Sequence, residues 1–292
     1  MKTNNILKTG LIVAAALACL SAALPRFDIK NISPSEMVDI GKKVVKAVQP
    51  MKEADEIALG RELAARLAGS FGVWKDQAWT DEVNVIGRVL VPYSDRPNIK
   101  YRFAIMNTDD VNAYSAPGGY IFISKGLLKQ LDSEAELAGV LAHEIAHVAN
   151  KDIVREVQNS NVWKAGASVA TAASDMGGME QQLLNDLTNA SWDYLVVKGL
   201  SKADELKADQ DGAKYEQKLG YDPYGIYNFV VKLQPAENSP DQKLKTFIGT
   251  HPKPSTRVNE LKKYYDQQGW SPGSVPEDAE QFKSFKQKHP IP

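Results

Sequence analysis

Within the run Ala142-His143-Glu144-Ile145-Ala146-His147-Val148, two histidines stand four positions apart with a glutamate beside the first. On a helix that spacing puts both imidazoles on one face about a turn apart, so both can reach a single zinc ion. Glu144 then stands beside the ion, ready to take a proton from a water that the metal acidifies. These residue types in this order imply metal-assisted hydrolysis with one Zn2+ per chain. A zinc hydrolase generally uses three protein ligands and one open position. Of the four histidines in the chain, His251 and His289 remain, and a carboxylate is the other option. Glu205 can supply it, with Asp209 one turn further along the same face of a helical stretch over residues 201–209. In that arrangement Glu205 binds the metal and Asp209 accepts from a ligand imidazole, holding its tautomer.

The elements that must position these groups are visible in the pattern. Asp132 and Ser133 can cap a helix, Glu136 stands three residues after Ser133, and Leu137, Leu141, Ile145 and Val148 share an apolar face. Glu136, Gly139, His143 and His147 cluster on a different face, so the histidines point away from the apolar stripe. Residues 101–106 and 120–123 are the best strands, and Pro117-Gly118-Gly119 is a turn signal before the second of them. Helical periodicity runs over residues 37–48 and 53–67, and helices dominate after the strands. A few strands followed by helices is an α+β order. Residues 159–199 form a long connection, broken by Lys164, Asp175 and Glu180, that never reaches eighteen apolar residues; it predicts a soluble helix or flap over the cleft.

His143-Glu144-x-x-His147 followed by Glu205-x-x-Ala208-Asp209 resembles the gluzincin metallopeptidases of the CaaX prenyl protease, HtpX and Oma type. The layout is most similar to the periplasmic BepA- and LoiP-like members. Asn112 through Ile123, with Pro117-Gly118-Gly119 at its centre, is similar to that family's turn and following strand, and Thr250-His251-Pro252 with Arg257 to its late His-Pro segment. The four motifs fall in family order between about residues 51 and 265. The resemblance implies a mainly helical α+β zincin with a small sheet whose edge strand flanks the active-site cleft. It implies zinc held by His143, His147 and Glu205, Glu144 as the catalytic acid–base, and Asp209 and Arg257 as orienting residues. It also implies a substrate peptide lying along Pro117, Gly118, Gly119, Tyr120 and Ile121, paired by main-chain hydrogen bonds. His251 is placed near the metal, either as a donor to the developing oxyanion or as a reversible extra ligand. Relatives often carry an Arg-His pair where this chain has Lys151-Asp152, so any role of that second histidine is missing here. The chain also stops before the tetratricopeptide domain of BepA-like members could fit, so the resemblance transfers peptidase activity rather than a partner.

Lys2 and Lys8 precede an apolar run over residues 11–20, the layout of a secretory signal and too short to span a membrane. The lone cysteine, Cys19, ends a segment resembling a bacterial lipoprotein signal, which predicts a diacylated first residue anchored at the periplasmic face of the outer membrane. The alternative is a cysteine discarded with the signal. The expected organisation is a signal peptide over 1–18, a lipid-anchored tether and helix over 19–50, a metallopeptidase domain over 51–270 and a polar tail over 271–292. A net charge of −1 argues against a nucleic-acid partner. The expected partners are unfolded or misassembled envelope proteins and, through the anchor, the membrane. A zinc-stabilised lipoprotein that holds such proteins without cutting them is the rival class, distinguished by having no use for Glu144.

Overall fold

A computed structural model describes residues 50–160, 163, 177–238, 249–272 and 277–292. Cys19, the signal, the tether and the helix expected over 37–48 lie outside them. The chain divides into two compact units, Met51–Val157 with Leu184–Pro292, and Met1–Pro50 with Gln158–Leu183. Every residue that positions the site belongs to the first. Among the described residues no helix is long and apolar enough to cross a membrane.

In chain order the elements are α1 (Glu53–Phe71), α2 (Gln77–Leu90), β1 (Arg102–Met106), β2 (Ala113–Ala116), β3 (Tyr120–Ser124), α3 (Lys125–Gln130), α4 (Glu134–Asn150) and α5 (Asp152–Asn159). Then come α6 (Gly177–Trp192) running into a π-helical turn (Asp193–Lys198), α7 (Lys202–Leu219), α8 (Gly225–Leu233), α9 (Pro254–Gln268) and α10 (Glu277–Lys288). The fold is α+β, mainly helical, with one small mixed sheet. Its order is β1-β3-β2: β3 pairs in parallel with β1 from Arg102↔Tyr120 to Met106↔Ser124, and antiparallel with β2 from Ala113↔Ile123 to Ala116↔Tyr120. β3 is therefore the central strand and β2 a free edge.

The helix carrying the two histidines, α4, begins where the sequence says it should. The Ser133 side chain accepts from the Glu136 N–H at 3.2 Å, while the Glu136 carboxylate reaches back to the Asp132 N–H at 2.7 Å, a capping box displaced by one residue. Its surroundings differ from the two-faced expectation, since every residue from Ala135 to Val148 is buried. The apolar stripe meets α2 and the sheet, and the face with the histidines is covered by α7 and α8. The polar groups on that second face need partners inside the protein, because water cannot serve them.

Close helix approach makes this covering possible. A Cβ at Gly139 on α4 would stand 2.2 Å from the backbone N of Ile226 at the start of α8, and one at Gly212 on α7 would stand 2.9 Å from the N of His143. At the far side, Trp79 of α2 donates its indole N–H to the His289 carbonyl at 2.8 Å and meets Phe282 and Phe285 edge-on. Those two phenylalanines overturn the expected polar tail: three positions apart in an otherwise charged segment, they form one stripe of α10, which packs back onto the core.

Gly139→Ala forces α4 and α8 apart against backbone. The expected cost is about 1–3 kcal/mol, read as a fall of several degrees in Tm; an unchanged Tm would show that the two helices are not in contact there.

Candidate functional site

His143 and His147 project from α4 with their Nε2 atoms 3.0 Å apart. Glu205, in the first turn of α7, brings its carboxylate up to them, Oε2 at 3.6 Å from His143 Nε2 and Oε1 at 3.7 Å from His147 Nε2. α7 starts where it does because the Ser201 hydroxyl caps it, accepting from the Asp204 N–H at 3.2 Å. All three side chains are buried.

The opposite edge of each imidazole is held by a carboxylate. His143 Nδ1 lies 2.9 Å from Asp209 Oδ1, and His147 Nδ1 lies 2.7 Å from Asp152 Oδ2. Asp209 is in turn gripped by Arg257 of α9, Nε to Oδ2 at 2.9 Å and Nη2 to Oδ1 at 2.5 Å, with both residues 1% exposed. Burial by itself would lower the pKa of the His143 imidazole, but Asp209 and then Glu205 raise it to about 9. Burial pushes the Glu205 carboxyl up, and the nearby His251, His143 and His147 overcome that and hold it well below the usual carboxylate range.

These contacts decide whether a metal fits. With His147 Nδ1 hydrogen-bonded to Asp152 and His143 Nδ1 beside Asp209, both Nε2 atoms face one another and the Glu205 carboxylate, whose Oε2 is buried with no hydrogen-bond partner. The donor atoms of His143, His147 and Glu205 all lie within 4.8 Å of one another. Zinc bound tetrahedrally at about 2.0–2.2 Å spaces its ligands about 3.4 Å apart, close to the 3.0, 3.6 and 3.7 Å found here. The donors are those that zinc prefers, and the orphaned oxygen supplies the reason for a cation.

Glu144 is buried and shares a small cleft with His147, Glu205 and His251. His251 brings Nε2 to 3.8 Å from Glu205 Oε2, while its Nδ1 lies 3.0 Å from Thr250 Oγ1. Burial lowers its pKa, favouring the neutral ring. The other walls are Ala113, Tyr114 and Ser115 of β2, and Tyr194 and Leu195 of the π-helical turn. The long connection after α5 does return to the cleft, through this turn.

The residues of the expected peptide track divide between the β2–β3 turn and the central strand. Tyr120 and Ile121 lie in β3, whose hydrogen-bonding groups are taken on both sides by β1 and β2. Pro117, Gly118 and Gly119 form the β2–β3 turn, with φ of 72° and 92° at the two glycines; Gly118 meets Ile57 of α1, and Gly119 the Lys100 carbonyl. There the Gly118 N–H donates to Glu56 Oε1 at 3.1 Å, and Arg96 donates to the same oxygen at 2.8 Å. The edge beside the metal ligands is β2, one strand earlier. Sequence reasoning missed it because Ala113-Tyr114-Ser115-Ala116 lacks a β-branched run. It also missed Glu56 and Asp152, two acids in first helical turns that read as solvated caps.

The sequence profile of peptidase family M48 matches residues 77–265. Similar proteins include the beta-barrel assembly-enhancing protease of Yersinia pestis, 27% identical over 282 residues that make up 94% of this chain and 54% of that one. Its namesake in Escherichia coli K12 is 26% identical over 210 residues, 70% of this chain and 42% of that one. The mitochondrial metalloendopeptidase OMA1 of Schizosaccharomyces pombe is 25% identical over 182 residues, 61% of this chain and 52% of that one. The chain thus spans about half the length of these relatives.

Arg257→Met strands the Asp209 charge in a dry interior, so urea unfolding is expected to lose about 3–5 kcal/mol of stability. A loss below about 1 kcal/mol would mean that water reaches Asp209. Zinc added to metal-free protein is expected to raise Tm, and the rise should vanish in His143→Ala and Glu205→Ala; a rise that survives both substitutions would place the ion elsewhere.

Proposed function

This chain belongs to peptidase family M48, and from that premise we propose that it is a zinc metalloendopeptidase cutting peptide bonds of misfolded cell-envelope proteins. The observation that carries the reading is the convergence of His143, His147 and Glu205 on one point, with Glu144 in the same cleft and the free edge of β2 beside it. When bound, zinc supplies a Lewis acid for the scissile carbonyl and brings the pKa of a water toward neutrality.

The chain's own residues do the rest. The main chain of β2, at the edge of the sheet, pairs with an extended substrate, fixing the carbonyl's position while reading little of its sequence. Glu144 accepts the proton of the attacking water and delivers it to the departing amine. Asp209 holds the His143 ring and Arg257 holds Asp209, so the ligand set does not reorganise as charge develops. His251, neutral and facing Glu205, either donates to the oxyanion or blocks the open position until substrate displaces it. Tyr194 and Leu195 line the same cleft and limit water around the reacting bond.

The choice of substrate follows the names of the relatives, which are beta-barrel assembly-enhancing proteases, and the secretory layout of residues 1–20. On this reading the protein works in the periplasm, tethered through Cys19.

Digestion of a denatured protein by zinc-loaded enzyme tests the assignment. Glu144→Gln is expected to keep its zinc and lose about 10²–10⁴ in rate, and a chelator should stop the wild type. Cleavage that persists in Glu144→Gln and in chelator would leave only the holdase class. In the same assay, His251→Ala should fall on the order of a hundredfold if His251 serves the oxyanion, and rise if it is a blocking ligand.

A further inference from the structure

His147 has a carboxylate partner that neither the ligand motif nor the late Arg-containing segment predicts. α4 ends at Lys151, the sole non-glycine residue with positive φ among the described residues, at φ 58° and ψ 38°. That single left-handed step turns the chain so that Asp152, the first residue of α5, points back under the end of the helix it has just left. Asp152 is 1% exposed and puts Oδ2 2.7 Å from His147 Nδ1. Its other oxygen accepts from Arg155 Nη2 at 2.8 Å, and the same nitrogen donates to Asp204 at 2.5 Å. Asp204 precedes the metal-ligand candidate Glu205 and is tied to the helix cap, its Oδ2 accepting from the Ser201 hydroxyl at 2.7 Å.

We propose that Asp152 is the positioning residue of His147, standing to it as Asp209 stands to His143, and that Arg155 links this pair to the start of the helix bearing Glu205. This inference rests on the metal-centre reading above. A carboxylate is the strongest acceptor an imidazole N–H can have. It fixes the proton on Nδ1, leaves the Nε2 lone pair for the metal, and makes that lone pair a better donor. A neutral side chain at position 152 would do this less well, and a solvated aspartate would not do it at all. The two imidazoles are thus held by two His–Asp–Arg chains from opposite sides, one through α9 and one through α5, and the second also fixes the third ligand's helix.

Equilibrium competition with a chromogenic chelator reads the consequence directly. Asp152→Asn, which keeps the shape of the side chain and removes its charge, is expected to bind zinc 10–100-fold more weakly than wild type. Unchanged zinc affinity, even with a lowered Tm of the metal-free protein, would overturn the proposal and leave Asp152 as scaffolding for α5. Arg155→Met keeps the His147–Asp152 bond and is expected to weaken zinc less than Asp152→Asn; an equal or larger loss would overturn the ordering argued here. Long-range proton–nitrogen spectra of zinc-loaded wild type provide a check that survives any folding failure of the variants. They should show His147 protonated on Nδ1, and a proton on Nε2 would contradict the assignment. Wild type that takes up no zinc at all would instead remove the metal-centre reading, and this inference with it.

Discussion

Three electron-rich atoms are held face to face inside the protein, and everything around them serves to keep them there. Two imidazoles could escape the conflict by exchanging tautomers or rotating, but Asp209 and Asp152 hold their Nδ1 edges and close both exits. The result is a site whose demand for a positive charge is built in before any ion arrives. In the absence of metal a proton meets that demand, as the raised pKa of His143 indicates. Metal and proton therefore compete for the same lone pairs.

Such an arrangement is costly to bury, and the fold limits the cost by pairing each charge locally. Asp209 has Arg257, Asp152 has Arg155, and Glu56 has Arg96, each within hydrogen-bond distance. Burying these carboxylates demands that the helices come close, and small residues at the crossings allow it: Gly212 lets α7 lie against the backbone of His143, and Gly139 lets α8 start against α4. Position and electrostatics are one problem here. A helix standing further off would admit water, weaken the aspartate–imidazole bonds and loosen the ligands together.

The motif, its helix and the distant carboxylate were legible in the sequence because each depends on local spacing along one helix: His143 and His147 four apart, Ser133 at a cap, Glu205 and Asp209 four apart. Features set by tertiary contact were not. Whether Tyr120 and Ile121 lie at an edge or in the middle of the sheet depends on which strand pairs with β3 on its other side, and β2 is too short and too alanine-rich to announce itself. Glu56 has the composition of a solvated helix start and acquires its role from a segment tens of residues away, while Asp152 acquires its own from a left-handed turn after His147 that spacing along one helix does not reveal. The C-terminal helix was hidden by charge: its burial depends on two phenylalanines and on Trp79, some two hundred positions earlier.

The left-handed residue at the end of α4 couples two properties that are usually adjusted separately. One backbone rotation at Lys151 both stops the histidine-bearing helix and aims the next residue's carboxylate at His147. β-branched side chains are strained in that conformation, whereas glycine and asparagine adopt it readily. A β-branched substitution at position 151 would thus be strained for a reason unrelated to the lysine's charge. An insertion or deletion at this joint would detune the centre even with every ligand intact.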